Sequence, residues 1–155
     1  MRNSTFLAAI GLVMTLGSTV SVADQASHPA VAARTAVMQL YANNLGQLGA
    51  MAKGDVEYNA EAATKAANNL SLLVQLDQST MWPQGTDNGP IEGTRALPDL
   101  WANFPDVMAK GQAMGESVAV MQGAAGTDLA SLQAAMGGLG GASSACHKAY
   151  RAPEN

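Results

Sequence analysis

The chain has 155 residues, 48% of them hydrophobic and only 5% aromatic, with 8 Lys and Arg against 12 Asp and Glu for a formal net charge of −4 at pH 7. An acidic chain with no basic cluster is excluded as a reader of nucleic acid or of anionic membrane surfaces, and the only partner its charge favours is a protein with a basic surface. Its one cysteine, Cys146, excludes an internal disulfide.

In chain order, Met1-Arg2-Asn3 gives a short positive region, Phe6 to Leu16 an apolar one, and Ser21-Val22-Ala23 a small-residue cleavage pattern. This predicts a secretory signal peptide over residues 1–23. The apolar run is too short to span a bilayer, which takes about twenty residues. The mature chain, residues 24–155, is therefore expected to be exported, to the periplasm of a Gram-negative source, with no membrane attachment after cleavage. Arg2 is the only charge lost, which leaves a net −5 on one domain of 132 residues.

Ala, Leu, Met, Gln and Asn dominate and β-branched runs are absent, so the predicted elements are helices. The first spans Pro29 to Lys53, with Val31, Met38 and Leu45 repeating every seven residues, Tyr41 and Leu48 between them, and Gly54 as its stop. The second spans Ala60 to Asp77, capped by Asn59, with Ala63, Ala66, Leu70, Leu73 and Val74 inward. Gln78 to Ala96 is a long loop; connections of this length are often functional, and the alternative is that it crosses from one end of the bundle to the other. A third helix starts at Pro98 and reaches Met121, turning Leu100 or Trp101, Phe104, Val107 or Met108, Met114 and Val118 inward. Pro105 should kink it or delay its regular start. After Gly123 to Gly126, Thr127-Asp128 opens a fourth helix, whose Leu129, Leu132, Met136, Leu139, Ser143, Cys146 and Tyr150 recur at threes and fours. The sum is an all-α antiparallel four-helix bundle.

The fourth helix carries Ser143-Ser144-Ala145-Cys146-His147, which has the shape of the C-x-x-C-H signature of c-type haem with its first cysteine replaced by serine. A hydroxyl does not substitute for a thiol in that attachment, so Cys146 offers the one thioether. Gly137-Gly138 and Gly140-Gly141 each cost about 1 kcal/mol relative to alanine inside a helix, and their missing side chains would let a flat ring approach the backbone. The alternative is that these glycines end the helix and leave the motif in a loop.

The C-terminal Leu139 to Arg151 resembles the haem-binding end of the cytochrome c′ family. Arg34-x-x-x-Met38, Lys53-Gly54, Met81-Trp82-Pro83-x-Gly85 and Leu100-Trp101 with Phe104 fall in that family's order upstream. The resemblance implies a bundle holding one haem c, with Cys146 as its covalent link and His147 as axial iron ligand. It places Arg151 and Tyr150 near the haem, and Arg34 near enough to pair with a propionate. Met38 falls where low-spin members of the cytochrome c-556 type carry a second axial ligand. Periodicity alone reads Met38 equally as a core residue. The function implied is single-electron transfer with no substrate chemistry. The alternatives are a five-coordinate haem binding a gas such as nitric oxide and a haem-free interaction protein. A redox partner protein and a homodimer are the expected associations. No enzyme is indicated, since Cys146 and His147, as helix neighbours, point about 100° apart and make a poor thiolate–imidazole pair.

Overall fold

The computed structural model describes residues 28–154, and the expected signal peptide lies outside them. Five α-helices follow one another: α1 (Pro29–Lys53), α2 (Ala60–Gln75), α3 (Asp99–Ala102), α4 (Phe104–Ala124) and α5 (Leu129–Tyr150), with a 3-10 turn at Ser79–Met81. The boundaries have local causes. Gly54 leaves α1 at φ 80°, the left-handed conformation that favours glycine, and the Asn59 side chain accepts from the Ala62 amide to start α2. Asp128 caps α5 by accepting from the Ser131 amide at 2.7 Å.

The long helices form a ring in which α1 packs on α2, α2 on α4, α4 on α5, and α5 on α1. At one end the Tyr58 hydroxyl donates to the Ala125 carbonyl and Gln133 donates to the Ala52 carbonyl. At the other, Arg34 near the start of α1 binds Thr86 and Thr94, and Ala96 bridges to Arg151 beyond α5. Chain direction therefore alternates around the ring. The long connection does not take the alternative course between ends; it folds back over the end where α2 stops and α4 begins.

The third helix is also corrected. It is two helices, broken at Asn103 (φ −119°, ψ 39°), with Pro105 in the first turn of α4, where its missing N–H has no intrahelical acceptor to lose. Phe104, expected inward, is 50% exposed, and of the alternatives Val107 and Met108 the first is half-buried and the second 59% exposed. The glycines of α5 do not end it, since α5 continues unbroken to Tyr150.

One packed core fills the Tyr58 end: Leu48 and Met51, Ala63 to Leu70, Val118 to Ala125, and Leu132 to Leu139. Leu48, Leu70, Met121, Leu132 and Leu139 are fully buried, each contributing about 1.5–3 kcal/mol. Toward the connection the packing loosens. From Gly140 to Ala149, α5 buries nothing; from Met38 to Gln47 the one buried residue of α1 is Asn44, held by Asn69 and the Leu40 carbonyl; and α4 buries nothing from Phe104 to Ser117. Ten residues of helix rise about 15 Å, so over about that depth the apolar side chains, Tyr41, Leu45, Leu73, Val74 and Met114 among them, are only partly buried.

Candidate functional site

This partly buried layer contains the C-terminal half of α5 and the motif found in the sequence. A cleft of about 670 Å³ opens there, walled by Met136, Gly140, Ser143, Ser144 and His147 of α5 and Leu45 of α1, with Arg95, Leu97, Arg151 and Ala152 closing one side. Gly140, Ser143 and His147 share a face because they lie three and four residues apart. A Cβ built on Gly140 or Gly141 would meet nothing within 4 Å. The glycines therefore leave open space beside the helix, the property a flat ring lying along it requires.

His147 is half-buried, and its pKa is lowered from the ordinary histidine value, first by burial and then by the positive charges of Arg151 and Arg95. All three effects favour the neutral imidazole, the form that binds a metal ion. Cys146 is a free, half-buried thiol. Burial pushes its pKa up; Lys110 opposes and Asp106 adds to that shift. Cys146 lies one turn before Tyr150, whose hydroxyl reaches Asp106 of α4, and so falls on the α4 side, while His147 lines the cleft.

Tyr150 is buried and its hydroxyl donates to Asp106 Oδ2 at 2.5 Å, while Lys110 approaches the same carboxylate oxygen at 3.2 Å. That hydrogen bond is the largest cause of a Tyr150 pKa pushed up to about 12 and of an Asp106 pKa below the usual carboxylate range. The pair fastens the last turn of α5 to α4, next to Cys146.

Arg34 and Met38 stand apart from this group. Arg34 is only 3% exposed. It donates to the Met81 and Thr86 carbonyls and to the Thr86 and Thr94 hydroxyls. Its guanidinium carbon lies 4.9 Å from the Trp82 ring centroid and 5.9 Å from that of Trp101. Burial lowers its pKa, with Asp87 opposing. Arg34 thus clamps the connection. Met38 was expected on the inward stripe but is 38% exposed and is absent from the cleft wall, two turns before Leu45 on α1.

The structure therefore joins Ser143, His147 and Arg151 in one cleft, sets Cys146 and Tyr150 on the adjacent α4 side, and leaves Met38 outside. The sequence reading missed Arg95, which the connection carries to the cleft and fixes by donation to the Ala152 carbonyl (Nε, 2.8 Å) and an ion pair with Glu154. Only the length of the loop hinted at it. It also missed the acceptor for Tyr150, since no spacing links Asp106 to α5.

A family model described as Cytochrome C′ matches residues 29–151. A cytochrome c-554 of Cereibacter sphaeroides is 48% identical over 118 residues, which is 76% of this chain and 77% of the relative. A cytochrome c′ of the same species is 37% identical over 131 residues, 84% of this chain and 87% of the relative. Among solved structures, a cytochrome c′ from Rhodobacter spheriodes superposes with TM-score 0.79 at 37% identity, covering 81% of this chain and 96% of the other.

Proposed function

The chain belongs to the cytochrome c′ family of haem proteins, and from that premise we propose that it is a periplasmic carrier of single electrons holding haem c through one thioether. The observation that carries the reading is the cleft between α5, α1 and the connection, faced by His147 and by Gly140, which leaves open space beside the helix. Bound there, haem supplies a one-electron iron couple whose potential depends on axial ligand and burial.

In this reading His147 provides a neutral imidazole to the iron, already favoured by its burial and by Arg95 and Arg151. Cys146 provides the thiol for the covalent link. Ser143 stands where the two-link motif has its first thiol and holds the haem by contact only. The Tyr150–Asp106 pair keeps the last turn of α5, and with it His147, in a fixed orientation. Arg34 fixes the connection and so the position of Arg95. Export to the periplasm supplies the compartment for such a carrier, and among the described residues no helix is long and apolar enough to cross a membrane.

A spectroelectrochemical titration tests the reading. Protein from a host that matures c-type haem should show one reversible one-electron wave with reduced-minus-oxidised bands of a c-type haem. Protein without haem from that host contradicts it. The exposure of Met38 favours a second reading, in which the sixth iron position stays open and takes a small gas. A high-spin ferric spectrum together with nitric oxide binding selects that reading. A low-spin spectrum lost in Met38→Ala selects the first and makes Met38 the second ligand.

A further inference from the structure

Charge along the chain and charge at the cleft disagree. The described residues hold eleven Asp and Glu and seven Lys and Arg, yet none of the eleven acids lines the cleft, and Arg95, Lys148 and Arg151 do. The other cations are committed elsewhere or distant. Arg34 is buried under the connection, Lys65 pairs with Glu61, Lys110 pairs with Asp106, and Lys53 ends α1 at the opposite end of the bundle. Of the three at the cleft, Arg95 is paired with Glu154. Lys148 and Arg151 are exposed and form no ion pair among the described residues.

Distance decides which charge a docking partner meets. At about 0.1 M salt the screening length is about 10 Å, so the cations lining the mouth act more strongly there than acids beyond it; of the acids at this end, Glu154 is paired with Arg95 and Asp106 with Lys110, and Asp77, Asp87, Glu92 and Asp99 do not line the cleft. Electron transfer requires close approach to the redox centre, and the proposed centre opens on this cleft. We infer that the mouth of the cleft, around Lys148 and Arg151 with Arg95 behind them, is the docking surface for an acidic protein partner. Net charge alone favours a basic partner; the charges at the mouth favour an acidic one. The inference rests on the electron-carrier reading.

The haem-loaded protein and two small oxidants test it without the partner. Hexacyanoferrate(III), an anion, and tris(phenanthroline)cobalt(III), a cation, each take one electron from the reduced protein and become the iron(II) and cobalt(II) complexes. With the anion the rate constant should fall on the order of tenfold as ionic strength rises from about 0.01 M to about 1 M, and with the cation it should rise or stay level. Poly-L-glutamate should slow the anionic oxidant and poly-L-lysine should not. The Lys148→Glu/Arg151→Glu variant should reverse the salt dependence, whereas Lys53→Glu leaves it unchanged.

A wild type whose rate with the anion rises with salt overturns the inference and leaves the carrier reading intact. So does a Lys148→Glu/Arg151→Glu variant that loses haem while its reacting fraction keeps the anion preference, because the cations then serve the haem itself. A protein without haem overturns both.

Discussion

Replacing Arg34 separates two roles for one side chain. The sequence resemblance places it beside a haem propionate; the structure makes it the clamp of the connection, with four hydrogen bonds and two tryptophan faces. Hydrogen bonds to a charged group contribute about 1.5–3 kcal/mol each, but these share one side chain and do not add. Breaking a buried charged network commonly costs about 3–5 kcal/mol. Arg34→Met, similar in length and apolar, should therefore destabilise the haem-loaded protein by about 4 kcal/mol, or about 15 °C in a domain of this size. Arg34→Lys should lose less, because it keeps the charge but not the planar fork that reaches both threonines. Thermal and guanidinium unfolding followed by far-UV circular dichroism would measure this, with the midpoint potential recorded alongside. A variant that melts within about 2 °C of wild type but has a shifted potential refutes the clamp and restores the propionate role.

Three further outcomes follow from the site. Gly140→Ala should stabilise haem-free protein by about 1 kcal/mol, the alanine advantage in a helix with open space beside it, yet lower the yield of covalent haem; equal gains in both forms would mean that no ring lies on that face. Met38→Ala should convert a low-spin ferric spectrum to a high-spin one under the first functional reading, with no comparable change in Met108→Ala. The third concerns acid stability of the haem-free protein. The His147 pKa is lowered on folding, so below the ordinary histidine value of about 6.5 the unfolded chain binds more protons and stability falls with pH until the folded pKa is passed. His147→Gln should remove that part of the slope. The shifts of Asp77, Asp106 and Asp128 act below the ordinary carboxylate range and do not overlap the window; an unchanged slope contradicts the burial argument.

Helix positions were legible in the sequence because they follow from local signals: Gly54, Asn59 and Asp128 end or start helices by their own chemistry. The break at Asn103 was half legible, since Pro105 announced a disturbance without saying that the helix would restart there. What local signals could not give was the course of the connection, which long-range hydrogen bonds from Arg34 and Arg95 determine. The site divides the same way. Ser143, Cys146, His147 and Tyr150 could be assigned to one helix from their spacing. That Arg34 is buried with its donors engaged, and that Met38 is more than a third exposed, depends on partners about fifty residues away and on a core that stops at Leu139. Hydrophobic periodicity marks a face as inward; it does not say whether protein fills the space behind it.

The central claim is a haem held by one covalent link at Cys146. Intact mass of the purified mature protein under denaturing conditions tests it most directly. The account predicts a mass equal to the polypeptide plus one haem, absent in Cys146→Ala and retained in Ser143→Ala. Bare polypeptide mass, with Cys146 quantitatively labelled by a thiol reagent in the native protein, would contradict it.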